Sequence, residues 1–158
     1  MPRFICLTFM FLASVMAWPQ TAFAQLEIDI TQGNLEPVPV AIPDFNVTDA
    51  RVGDLGTRMA EVIRADLERS GLFKPLDPAS FLETQTNINY KPTFADWRVI
   101  KAEALVTGRI VRESENRLRV EFRLWDVYRG TQLSGLVFAT TPDNWRRIAH
   151  KVSDSIYE

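Results

Sequence analysis

From Leu118 to Trp125 residues alternate one for one. Leu118, Val120, Phe122 and Leu124 are apolar, while Arg119, Glu121, Arg123 and Trp125 occupy the intervening positions. Period two describes a β-strand with one face in a core and a mostly charged face in water. Such a strand cannot bury its apolar side unaided, so another part of the chain must cover it. Two segments with helical periodicity supply that cover. In the first, Val52, Leu55, Met59, Val62, Ile63 and Leu67 form one stripe, with Arg58, Glu61, Arg64, Glu68 and Arg69 elsewhere on the surface. In the second, Trp145, Ile148, Ala149, Val152 and Ile156 share a face behind a Thr141-Pro142 start.

The rest of the chain fits between these anchors. Val38 to Phe45 reads as a strand, but Pro39 and Pro43 each lack a ladder donor, which calls for an edge position or irregular pairing. Asp49 and Asp54 are the candidate caps of the first helix, and Ser70-Gly71 ends it, with Gly71 suited to a left-handed position. Leu72 to Leu76 suggests a short strand interrupted by Pro75, and Asp77-Pro78 opens a short helix through Phe81 and Leu82. Thr84 to Thr93 reads as a loop, and Phe94 to Glu103 as a further amphipathic stretch. Ala104 to Val111 and Leu133 to Thr140 are strands, with Glu113 to Asn116 the turn of a hairpin and Gly130 the next turn. The expected fold class is α/β (α+β): a mixed β-sheet of about five strands with two main amphipathic helices packed on one face.

Upstream, residues Met1 to Ala24 have the order of a cleavable signal peptide. Arg3 gives a positive start, Phe4 to Trp18 carries no charge, and Pro19-Gln20 breaks the run ahead of Ala22-Phe23-Ala24. The apolar run is shorter than the roughly 20 residues a membrane span requires. Cleavage after Ala24 makes Gln25 the new N-terminus, with no membrane insertion expected afterwards. Cys6 is the only cysteine and lies inside the apolar run, not at its end where a lipid anchor would be attached. The mature domain must therefore hold together by apolar burial, without disulfides. Arg3 is the only charged residue removed, so the mature chain keeps 17 basic and all 20 acidic side chains, a net charge of about −3. That balance excludes the clustered basic excess of a nucleic-acid binder.

The catalytic inventory is thin. His150 is the only histidine, and its place on the last helix reads as a surface or boundary position. No G-x-S-x-G, H-E-x-x-H or P-loop pattern occurs, and Gly53-Asp54-Leu55-Gly56 lacks the third glycine of a dinucleotide cradle. Glu27 and Asp29 are too few carboxylates for calcium, which takes 6–8 oxygens. No cofactor is expected. Arg109, Arg112, Arg117, Arg119 and Arg123 gather around the hairpin, diluted by Glu113, Glu115 and Glu121; they read as a charged sheet face or a docking surface for protein. Asn46-Val47-Thr48 matches a glycosylation sequon, a frequent chance match. Trp97, Trp125, Trp145, Phe94 and Phe122 read as core.

The remaining feature is the first mature segment. Leu26-Glu27-Ile28-Asp29-Ile30 alternates apolar and acidic residues, and Thr31-Gln32-Gly33-Asn34 ends it in turn formers. A short strand beside a cleavage site can extend another protein's sheet, its main chain giving affinity and alternate side chains specificity. Pairing within its own domain is the competing reading.

Taken in order behind a signal peptide, several segments resemble the N-terminal domain of the TolB family of the Tol–Pal envelope system. They are Leu26 to Gly33, Val40-Ala-Ile-Pro-Asp-Phe45, Asp66 to Leu76, Asp96-Trp-Arg98, Val120 to Val127, and Trp145-Arg-Arg-Ile-Ala-His150 leading to Ser153-Asp-Ser-Ile-Tyr-Glu158. The resemblance implies a periplasmic, non-enzymatic scaffold that supports outer-membrane integrity and envelope constriction at cell division. It implies a partner-binding segment at Gln25, Leu26, Glu27, Ile28, Asp29, Ile30, Thr31, Gln32 and Gly33, engaging the C-terminal domain of TolA. It also implies a six-bladed β-propeller after this domain, which docks the outer-membrane lipoprotein Pal. The final helix is still running at Tyr157-Glu158, so a fragment of a longer protein is expected. The expected domains are then a signal peptide over 1–24, an arm over 25–34 and the α/β domain over 35–158. A periplasmic outer-membrane assembly cofactor of similar fold is the alternative, although such lipoproteins usually carry a lipobox cysteine. A small exported enzyme is the third reading.

Overall fold

The sheet grows outward from a long β-hairpin that the Leu118–Trp125 alternation dictates. In the computed structural model, which describes residues 36–83 and 86–157, the hairpin strands are β4 (Ala104–Ser114) and β5 (Arg117–Asp126). They pair antiparallel from Ala104↔Asp126 to Ser114↔Arg117, so both strands run further into the turn than the sequence suggests. A third long strand, β6 (Thr131–Thr140), continues the antiparallel pairing on the far side of β5. On the near side the pairing is parallel: β1 (Val38–Ala41) lies beside β4 with β3 (Phe73–Pro75) outside it, and the two-residue β2 (Asn46–Val47) also pairs with β4. The result is a mixed sheet of six strands, ordered β3-β1-β4-β5-β6 with β2 on β4.

The prolines of the first strand are accommodated by irregular pairing, not by an edge position. β1 lies between β3 and β4. The Pro39 carbonyl accepts from the Glu103 N–H, so the missing Pro39 donor also faces the β4 side, beyond the start of that strand at Ala104. Pro43 falls in the break between β1 and β2. There, six residues from Ala41 to Asn46 oppose five from Leu105 to Arg109, a one-residue excess that splits the strand in two.

Two helices cover one face, as the stripes require: α1 (Leu55–Arg69) and α3 (Trp145–Tyr157). Leu55, Met59, Ile63 and Leu67 from α1 meet Ile148, Val152 and Ile156 from α3 over Val40, Val106, Ile110, Val120 and Phe122. Val52 lies just ahead of α1, in a 3-10 turn over Ala50–Val52. Asp49 caps that turn by accepting from the Arg51 N–H, whereas Asp54 precedes α1 without a side-chain cap bond. The turn after α1 places Gly71 at φ 73°, a conformation favouring a residue with no Cβ.

The opposite face carries a second, smaller core at one end. A short helix α2 (Phe94–Val99), followed by Lys101 at φ 61°, ends well before Glu103, where the amphipathic pattern runs on. It sets Phe94 and Trp97 against Ala41, Leu105, Trp125 and Val127, and Phe81 joins from the 3-10 turn at Pro78–Ser80. This explains why Trp125, on the mostly charged side of the alternation, is buried and donates its indole N–H to Thr107 Oγ1 at 3.0 Å. All five aromatic residues assigned to the core are buried, Phe94, Trp97 and Trp125 in this smaller core and Phe122 and Trp145 in the main one.

Glycines set the closest approaches. A Cβ at Gly56 on α1 would stand 2.1 Å from the Phe45 carbonyl oxygen, and one at Gly108 on β4 would stand 2.2 Å from the Phe45 ring. The Gly53-to-Gly56 stretch is thus a helix start pressed onto backbone. The same crossing is tied by polar groups: Arg64 donates to the Ile42 carbonyl and to Asp44 Oδ1, both at 3.0 Å, and Thr57 donates to Asp44 Oδ2 at 2.6 Å.

Candidate protein-interaction surface

The segment that sequence reasoning singled out, Gln25 to Gly33, lies outside the described residues, as does the signal-peptide stretch. Among the described residues the place to begin is Val38 at the start of β1. It lines a cavity of about 480 Å³ at the end of the sheet, with Phe73, Leu124, Tyr128, Leu133 and Ile156 as its apolar wall. Glu103, Asp126 and Arg129 add its charged members, with Arg129 Nη1 3.6 Å from Asp126 Oδ2.

The one histidine is structural in its contacts. His150 on α3 places Nδ1 2.6 Å from Asp66 Oδ2 on α1. Tyr157 one helical stretch later donates its hydroxyl to the Asp66 carbonyl at 2.7 Å, and Arg69 pairs with the Asp66 carboxylate at 3.0 Å. These contacts clasp the two helices where they emerge from the core. Periodicity placed His150 near the boundary, but its partner 84 residues away has no local signal. Among the described residues there is no group of three or more His, Cys, Asp or Glu side chains able to hold a metal ion.

The arginine cluster resolves into a chain of ion pairs on the open sheet face. Arg109 meets Glu121 at 2.6 Å, Arg119 bridges Glu121 at 3.0 Å and Glu113 at 3.3 Å, and Arg117 meets Glu113 at 2.8 Å. Arg112 turns away to donate to the Ser114 and Glu115 carbonyls. Arg123 makes no ion pair among the described residues. Cross-strand opposite charges on one face stabilise the hairpin modestly, each exposed pair contributing roughly 0–1 kcal/mol. Just after β2, the Arg51 guanidinium bonded to Asp49 lowers that carboxyl to about 2.

Beyond the arginines the surface carries exposed apolar groups, among them Leu133, Leu136 and Val137 on β6. The alternation of β6 is too weak to assign a buried face, and its exposure follows from its place at the end of the sheet. No helix among the described residues is long and apolar enough to cross a membrane.

Comparison with known proteins gives this architecture a context. A solved TolB from Acinetobacter baumannii superposes with a TM-score of 0.59 at 25% identity, covering 77% of this chain. The chain spans 27% of that protein's length. The C-terminal domain of LpoB from Salmonella enterica matches with a TM-score of 0.52 at 13% identity, over 68% of this chain and 84% of that one. Lipoprotein GNA1162 from Neisseria meningitidis matches with a TM-score of 0.51 at 14% identity, over 78% of this chain and 97% of that one. The last two likenesses are of fold. The family model described as the TolB amino-terminal domain matches residues 26–133, more than half of the chain and including all but the first residue of the Gln25–Gly33 segment, so this chain belongs to the TolB amino-terminal domain family.

Proposed function

We propose that the chain is the N-terminal portion of a periplasmic, non-enzymatic scaffold of the Tol–Pal system. In this reading Met1 to Ala24 is removed on export, and Gln25 to Gly33 serves as an arm that adds a strand to the C-terminal domain of TolA. The α/β domain over 35–158 follows the arm in the chain. The link to Pal is made, in the family, by the β-propeller that follows this domain. Joining the two partners connects inner and outer membranes, supporting outer-membrane integrity and invagination at division.

The observation that carries the reading is the family match over residues 26–133, which takes in all but the first residue of the arm and the folded domain as far as the start of β6. Physical chemistry favours an extended partner strand: Leu26, Ile28 and Ile30 would fall on one face and Glu27 and Asp29 on the other. A scaffold role also agrees with the contacts of His150, which is engaged in clasping α1 to α3.

A synthetic peptide spanning Gln25 to Gly33 tests the arm in isolation. It is expected to bind the TolA C-terminal domain and to displace the signal-cleaved chain from it in a competition titration. A peptide that binds and displaces nothing, while the intact chain does bind, would move the contact to the folded domain.

A further inference from the structure

The two edges of the sheet are protected very differently. On one side β3 is three residues long and ends in Pro75, a short edge that offers little to a passing strand. On the other, β6 runs for ten residues, Thr131 to Thr140, with β5 its only neighbour among the described residues. Those ten residues contain no charge and no proline. One register shift, at Leu124/Trp125, interrupts its pairing near the start, and from Ser134 onward the ladder is regular. Leu136 and Val137 stand 44% and 60% exposed along that regular part. Natural sheets usually blunt a long edge with lysine, proline, bulges or a covering element, because unpaired N–H and C=O groups template strand addition.

The surroundings of β6 select what would add to it. On the open face a groove of about 310 Å³ follows the strand, lined by Arg123, Gln132, Gly135 and Val137. Gly135 keeps the groove open, since a Cβ there would meet Gln132 Nε2 at 2.7 Å. Arg123 stands beside Gly135 in the β5–β6 register and has no carboxylate partner among the described residues. Glu121 also lines the groove, but Arg109 and Arg119 both hold it. On the helical face, α3 packs against α1 and against β5 and β6. His150 and Tyr157 turn toward α1. At 100° per residue, Lys151 lies 100° around α3 from His150, exposed and without an ion pair, whereas Arg147 is only 60° from it. Arg123 on the open face and Lys151 on the helical side are thus cations without an ion pair among the described residues.

We infer that β6 is a strand-addition site for an extended, acidic segment of another protein, alternating apolar and carboxylate side chains. Main-chain bonds to the free edge would supply affinity, and carboxylates over Arg123 on one face and Lys151 on the other would set the preference. A second copy of this chain fits less well, because pairing β6 with β6 about a two-fold axis brings the same cations toward one another. The inference does not depend on TolA binding.

The test uses the signal-cleaved chain and two labelled peptides, Thr-Val-Glu-Val-Thr-Val-Glu-Val-Thr and its counterpart with lysine in place of glutamate. By fluorescence anisotropy the acidic peptide is expected to bind at least tenfold tighter than the basic one, weakening as salt rises, and to slow hydrogen exchange of β6 amides. Val137→Asp is expected to weaken the acidic peptide at least tenfold with an unchanged melt, and Arg123→Glu to shift the preference toward the basic peptide. If Val137→Asp does not fold, Arg123→Glu decides alone. Equal binding of both peptides, no binding of either, or binding without protection of β6 would overturn the inference. So would a dimer in sedimentation that Val137→Asp disperses, since β6 would then be occupied by a second copy.

Discussion

Replacing Gly56 with alanine reverses the usual sign of a helix substitution. In an exposed helix interior, alanine is favoured over glycine by about 1 kcal/mol, because glycine loses more backbone freedom on folding. At position 56 the new methyl would stand 2.1 Å from the Phe45 carbonyl oxygen, 3.1 Å from its carbon and 3.0 Å from Val47 Cγ2. Phe45 has nowhere to retreat: it is fully buried and its ring lies over Gly108. Restoring ordinary contact requires α1 to lift by more than about 1 Å from a close-packed interface, and overpacking of that kind costs roughly 1–3 kcal/mol or more. The loss outweighs the propensity gain, so a net destabilisation of about 1–3 kcal/mol is expected. In a domain of this size that lowers Tm by several degrees, on the order of 3 °C per kcal/mol. Urea and thermal melts measure it, with Glu68→Ala on the exposed face of α1 as the control, expected within about 0.5 kcal/mol of the parent. A Gly56→Ala variant that melts at or above the parent would refute the close crossing of α1 on Phe45.

Gly108→Ala is expected to destabilise by a similar amount, about 1–3 kcal/mol, and Phe45→Leu in that background to recover part of the loss; additive effects in urea melts would argue against contact. The Asp49–Arg51 cap gives a pH dependence. With the Asp49 carboxyl lowered to about 2 by Arg51, the stability it contributes is present above its ordinary 3.8 and lost as pH falls through about 2. The melting difference between the parent and Asp49→Asn should therefore shrink across that window, and a constant difference down to the lowest pH would contradict the assignment.

The elements legible in the sequence are those with a strong period. The Leu118–Trp125 alternation and the two helical stripes locate β5, α1 and α3 within a few residues, and with them the main core. Glycine and proline punctuation places the turn at Gly71 and the short 3-10 turn after Asp77. What escaped notice depends on distant partners. Trp125 reads as core from its type, but that α2 is what covers it does not, and the break in the first strand is visible only against the register of β4. The Asp66–His150 clasp joins residues far apart in the chain. The open edge of β6 is a consequence of strand order, which no local pattern encodes. The arm, by contrast, was read entirely from its own alternation and from family resemblance.

The central claim is that the first residues of the mature chain hold TolA, and deleting Leu26 to Gln32 tests it most directly. Titration of the TolA C-terminal domain into the deleted chain, with a thermal melt of the same sample, separates binding from folding. The account expects binding to disappear while the melt stays nearly unchanged. Unaltered affinity would contradict it, and a collapsed melt would show instead that the segment pairs within its own domain.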